Sequence, residues 1–265
     1  MRDMIKWVPM KTFVDSWKSF RAHANEAETI SKSLKKWRLL TNIRTNVVID
    51  IGCGDGSVLK EIITRTSNQK TRIECTLLDP MESFIKEAQE NISVLPQILS
   101  LNSLHGYLEN NYTKLPKKID VVYFIHTAYV VTPNDWKLIL KLADRGATII
   151  WIMDDPKSIF THCWSITAEH FYDRLQEAHQ YINNLISSNR YNIEIKKATV
   201  LAKNPFEFPK NTAEKIMSLI CYADYTSLPN YTKQAIRGYI EGKITDRGLP
   251  CDIAIIKISP RNRVL

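Results

Sequence analysis

The chain has 265 residues and a mass of 30.6 kDa, enough for one large or two small domains. Hydrophobic residues at 44% and charged residues at 24% exclude intrinsic disorder. The longest apolar run, residues 121–131, is broken by His126 and Thr127 and reaches about half the ~20 residues of a membrane span, so no span is expected. The opening residues lack an apolar core with a small-residue cleavage site, so no signal peptide is expected. The five cysteines, Cys53, Cys75, Cys163, Cys221 and Cys251, form no CxxC pair. They read as reduced core thiols of a cytoplasmic protein, with no disulfide framework and no zinc site.

Formal net charge is +8, and residues 1–45 carry +6 of it. Such a basic segment suits an anionic partner such as nucleic acid. The alternative is a solvated lysine-rich helix face, and Lys32, Lys35, Lys36 and Arg38 have only Trp37 interleaved among them.

Residues 11–40 show helical spacing through Phe13, Trp17, Phe20, Ile30, Leu34 and Trp37. Asn46–Ile51 reads as a buried strand ending at a glycine cluster, and a helix follows at 57–65. A strand at 72–78, a helix at 81–91, a weak strand at 97–101 and a strong one at 119–125 come next. A helix at 134–142 and a strand at 147–153 complete the alternation. This is the pattern of a parallel sheet with helices on both faces. Beyond Asp154 the order is a helix at 168–188, a strand at 191–201, helices at 212–222 and 231–241, and a strand at 252–259. The last two strands are expected to add an antiparallel edge. With no repeat and no linker, a single domain is expected: an N-terminal helical lid at 1–45, a cofactor-binding half at 46–155 and a substrate-side half at 156–265.

The chemistry is concentrated in VIDIGCGDG, residues 48–56. A buried strand runs into Gly52, Gly54 and Gly56, which let the backbone turn sharply beside a ligand. Asp50 lies two positions before the glycines, and Asp79 ends the next strand, 23 residues after Gly56. A carboxylate there can accept the two hydroxyls of a ribose. The spacing alone equally suits a nicotinamide dinucleotide. The histidines at 23, 105, 126, 162, 170 and 179 make no metal-ligand pattern, and there is no P-loop or GxSxG elbow.

VIDIGCGDG followed by LLDP resembles motifs I and II of the class I S-adenosylmethionine-dependent methyltransferases. The resemblance implies a Rossmann-like, seven-stranded, mostly parallel sheet and S-adenosyl-L-methionine as cofactor. It assigns Gly52, Gly54 and Gly56 to the methionine part and Asp79 to the ribose, with Asp50 and Ile125 beside them. Phe13–Glu28, Ile119–Val131, FTHCW at 160–164 and the closing DIAIIKIS strand are similar in order and spacing to the histamine N-methyltransferase family. That similarity implies a small amine-bearing aromatic or cationic acceptor. It places Phe13, Trp17, Glu26, His126, Tyr129, Phe160 and Trp164 in the substrate pocket, with Glu26 and His126 as the catalytic polar groups. For Phe13, Trp17, Phe160 and Trp164 the alternative is core packing, for Glu26 it is a surface carboxylate, and for His126 it is a structural histidine satisfied within the fold.

Two positions depart from that family. His126 stands where it has an amide, and Cys251 and Asp252 stand near the place of an asparagine. An imidazole can take a proton near neutral pH, whereas an amide only orients. Small-molecule O-methylation, with His126 as base, and RNA methylation, suggested by the basic segment at 1–45, stay open as alternatives. The run after strand four, HTAY, differs from the Asn/Asp-Pro-Pro-aromatic motif of base-amine methylation. The expected partner is a small-molecule acceptor rather than nucleic acid or membrane, and the expected state is a monomer, with a dimer as the alternative.

Overall fold

Asn46–Ile51 forms β1, and its NVVIDI run is buried on both faces as expected of a central parallel strand. The computed structural model describes residues 10–41, 43–127 and 132–261. Its elements in chain order are α1 (Met10–Arg21), α2 (Glu26–Lys35), β1, α3 (Ser57–Thr66), β2 (Ile73–Asp79), α4 (Glu82–Ser93), β3 (Ile98–His105), α5 (Leu108–Asn111) and β4 (Val121–Ile125). There follow α6 (Pro133–Asp144), β5 (Thr148–Asp154), α7 (Ile159–Thr167), α8 (Glu169–Ser188), β6 (Tyr191–Ala202), α9 (Lys210–Cys221), α10 (Asn230–Glu241) and β7 (Leu249–Pro260).

The chain divides into two compact units. The larger comprises Ala27–Met153, Ala178–Ala198 and Ala254–Leu265. It holds all or most of each strand of a seven-stranded sheet, in the order β3-β2-β1-β4-β5-β7-β6. The pairs β3–β2, β2–β1, β1–β4 and β4–β5 are parallel. Contacts between β6 and β7 run in opposite directions: Asn192 meets Ser259, Glu194 meets Lys257 and Thr199 meets Asp252. β6 is therefore the expected antiparallel edge, although it reaches β7 through two helices and not a hairpin.

Helical periodicity explains how the larger unit closes over its sheet. Val58, Leu59, Ile62 and Ile63 form the buried stripe of α3, and Phe84, Ile85, Ala88 and Ile92 that of α4. α6 starts at a capping box, where Asp135 N donates to Thr132 Oγ1 and Thr132 N donates to Asp135 Oδ2. Its Trp136 packs 6.2 Å from Trp151 and 5.3 Å from Tyr181.

The smaller unit comprises Met1–Glu26, Asp154–Glu177 and Thr199–Ile253. Aromatic packing dominates it. Phe20 meets Phe160 edge-on at 5.3 Å, and Trp164, Phe171 and Phe13 all adjoin Tyr222, at 5.9, 3.7 and 5.3 Å. The α1–α2 loop is tied to the end of β6, where Leu201 N donates to Asn25 Oδ1 at 2.7 Å and Lys203 N donates to His23 O at 2.8 Å. The helical spacing expected over residues 11–40 is realised as two helices, α1 and α2. A second helix, α7, precedes the one expected at 168–188. The five cysteines are free and buried. Among the described residues no helix is long and apolar enough to cross a membrane, and no group of side chains could hold a metal ion.

Candidate functional site

The carboxyl ends of β1 and β2 build the candidate site in the larger unit. Gly52, Gly54 and Gly56 all adopt left-handed backbone, with φ of 70°, 54° and 73°. A side chain at any of them would be strained. Space excludes one as well: a Cβ on Gly52 would fall 2.1 Å from Thr127 Cγ2, and one on Gly56 would fall 3.0 Å from Ala88 Cα. The first glycine admits close approach of the chain after β4, and the third lets α3 press on α4.

Asp79 closes the turn from the side. Its Oδ2 accepts from Gly54 N at 3.0 Å, and its Oδ1 accepts from Met81 N at 2.8 Å. Asp79 is 5% exposed, and burial raises its pKa above the usual carboxylate range. The two backbone N–H groups and the neighbouring His105 oppose that rise. Each oxygen has accepted one bond and keeps a lone pair for another donor. A diol is the ligand such a pair of oxygens suits. Asp50 is 3% exposed, and its strand partner across β1–β4 is Tyr123. Burial, with the Asp50 carboxylate as a lesser cause, pushes the thiols of Cys53 and Cys75 and the Tyr123 hydroxyl upward.

Ile125 ends β4 and is buried. His126 follows with φ of 52°, and its N donates to Ile152 O at 2.8 Å. Left-handed backbone is tolerated by His better than by most residues, and it breaks the strand's alternation at this position. The ring is half-buried. Tyr129 lies outside the described residues.

The other expected substrate residues belong to the smaller unit. Phe160 and Trp164 share a face of α7, with ring centroids 6.0 Å apart, and are 7% and 2% exposed. Phe13 is half-buried and adjoins the same cluster through Tyr222. Glu26 is buried, and its Oε2 lies 2.8 Å from Arg21 Nε. The Arg21 guanidinium in turn sits 4.0 Å over the Trp17 ring. The carboxylate expected to face a substrate cation therefore has a protein counter-ion, and the Trp17 face carries a protein cation. Cys251 is buried, and Asp252 accepts a bond from Thr199 Oγ1 at 2.6 Å.

Sequence reasoning missed Arg21, Phe171, Tyr222 and Thr127. Arg21 and Glu26 stand five apart across a loop, which no helical or strand period links. Tyr222 caps α9 in left-handed backbone at φ 49°, a conformation no residue-type rule assigns to tyrosine.

Residues 48–146 match the model of a family described as a methyltransferase domain. The match begins in β1 and includes the glycine turn, Asp79, Ile125 and His126. The chain carries an S-adenosylmethionine-dependent methyltransferase domain. Among solved structures, the methyltransferase is similar to the plantazolicin methyltransferase BamL in complex with a triazolic desmethylPZN analog and SAH. Identity there is 17%, coverage is 95% of this chain and 91% of the other, and the TM-score is 0.52. It is also similar to the O-methyltransferase from Bacillus cereus in complex with SAH, at 11% identity, 94% and 91% coverage and a TM-score of 0.51. At these identities the likeness establishes the fold. No curated protein matches the methyltransferase. The residues present fit the cofactor of this class: Asp79 offers two acceptor oxygens for a ribose, and Gly52 offers bare backbone for close approach.

Proposed function

We propose that the methyltransferase acts on a small-molecule acceptor carrying an aromatic or cationic amine, in the manner of the histamine N-methyltransferase family. The observation that carries this reading is the aromatic cluster of the smaller unit. Phe13 and Tyr222, both half-buried with ring centroids 5.3 Å apart, offer flat apolar faces, and the buried Trp164 and Phe160 continue the cluster at 5.9 and 6.0 Å. Such faces recognise a ring or an ammonium by stacking and cation–π contact, each worth about 1 kcal/mol.

S-adenosylmethionine, when bound, supplies a methyl group activated by its sulfonium. Asp79 would hold the ribose, and Gly52, Gly54 and Gly56 would lie along the methionine part, with Asp50 and Ile125 beside them. The remaining task of the chain is alignment, which can contribute several kcal/mol, up to about 7–11. In this reading His126 orients the acceptor and takes a proton from it. Glu26 is already paired with Arg21 at 2.8 Å, which favours an uncharged amine over a dication.

The test is transfer of labelled methyl from S-adenosylmethionine to a panel of arylalkylamines, catechols and structured RNAs. The reading expects labelled amine products. Labelled phenolic oxygen would replace it with O-methylation and His126 as base. Labelled RNA, with affinity falling steeply with salt, would replace it with RNA methylation.

A further inference from the structure

The loop after β4 holds one buried group that the preceding account does not use. Thr127 is 9% exposed, and its Oγ1 has no hydrogen-bond partner among the described residues. A buried hydroxyl left unpaired costs free energy, so a native chain retains one where a partner arrives.

The place of this hydroxyl is specific. Thr127 Cγ2 occupies the position a Gly52 side chain would take, and Oγ1 lies 3.7 Å from that point. The threonine side chain therefore rests on the bare α-carbon of the first glycine of the turn. Four backbone donors of the turn are already engaged. The N–H groups of Gly52 and Cys53 donate to Leu78 O, that of Gly54 to Asp79 Oδ2 and that of Gly56 to Cys53 O. A ligand carboxylate beside Gly52 would find those four backbone donors taken. Thr127 supplies a donor that is not.

We propose that Thr127 is a cofactor-binding residue, its hydroxyl donating a hydrogen bond to the carboxylate at the methionine end of the cofactor. The proposal rests on the cofactor reading of the glycine turn and adds to it a side-chain donor beside Gly52. The Thr127 methyl has a separate role, filling the space above Gly52.

The two roles separate in two variants. Thr127→Val keeps the branched shape and removes the hydroxyl. Thr127→Ser keeps the hydroxyl and removes the methyl. Calorimetric titration of the full chain with S-adenosylhomocysteine reads the affinity, and thermal melting without ligand reads the fold. The expected result is an affinity about tenfold weaker for Thr127→Val, near the weight of one charge-assisted hydrogen bond. Its ligand-free melting temperature should equal or exceed that of the wild type, because an unpaired buried hydroxyl has been removed. Thr127→Ser should bind within about threefold of wild type. Undiminished affinity in Thr127→Val overturns the proposal while leaving the cofactor reading intact. Equal weakening in both variants also overturns it, assigning the effect to the methyl contact. Failure of the wild type to bind overturns both.

Discussion

Arg21 Nε lies 2.8 Å from Glu26 Oε2, and the two side chains are only 16% and 10% exposed. The pair joins the end of α1 to the start of α2, and the guanidinium stacks on Trp17 at 4.0 Å. Removing one member of a buried pair strands the other charge, which costs about 3–5 kcal/mol when burial is complete. Glu26→Gln should therefore lower stability by about 3 kcal/mol, the low end of that range, because the pair keeps some solvent. The double variant Arg21→Met, Glu26→Gln should recover most of the loss. If Glu26 also contacts the acceptor, the recovered double variant keeps a raised KM. Thermal melts and acceptor kinetics on both proteins separate the roles, and a normal KM in the double variant makes the pair structural only.

Trp164 is 2% exposed, between Phe160, Phe171 and Tyr222. Trp164→Ala should cost about 3–5 kcal/mol of stability through the cavity it opens. Phe13 is half-buried on the same cluster, and Phe13→Ala should cost less stability and raise the acceptor KM. Denaturant unfolding with steady-state kinetics checks both. A small stability loss for Trp164→Ala would contradict its place in the core.

Gly52 has both a strained φ of 70° and a filled Cβ position. Gly52→Ala should lose about 1–3 kcal/mol from strain alone, with the clash on Thr127 added. Adding Thr127→Ala removes the clashing Cγ2 and should restore part of that stability. Melting temperatures of the two variants decide it, and an unaltered melting temperature in Gly52→Ala would contradict the geometry of the turn.

His126 is left-handed at the end of β4, and Asn is the substitution that tolerates such backbone. His126→Asn should fold normally and bind cofactor as the wild type does. If the imidazole takes the acceptor's proton, kcat should fall about 10²-fold. An unchanged kcat would remove His126 from the catalytic groups.

Much of the larger unit was legible because its signals are local. β4 is an uninterrupted apolar run, β1 is apolar but for Asn46 and Asp50, and the glycine turn follows β1 directly in sequence. β3 was weaker because it sits at the sheet edge with a mixed burial pattern, so its residues show neither a clean run nor a clean alternation. α7 was missed as an element because most of its residues are buried, including Thr161 and Thr167, and a helix covered on most sides has no polar stripe to reveal it. The composition of the smaller unit from three distant segments, and the Gly52–Thr127 contact across 75 positions, depend on the tertiary fold and leave no periodic trace.

The central claim is that Asp79 and the glycine turn hold S-adenosylmethionine, and calorimetric titration with S-adenosylhomocysteine tests it most directly. The wild type should bind at one site per chain. Asp79→Ala should weaken binding by about 2–3 kcal/mol while remaining folded, since two hydroxyl donors lose a charged acceptor. Burial holds the Asp79 pKa above that of a free aspartate, so the carboxylate protonates at a higher pH than an exposed one. Binding that needs the ionised form therefore falls on acidification at a higher pH than it would with an ordinary aspartate. The Asp79→Ala variant should lose this pH dependence. Unchanged affinity in a folded Asp79→Ala protein, or no binding by the wild type, would contradict the account.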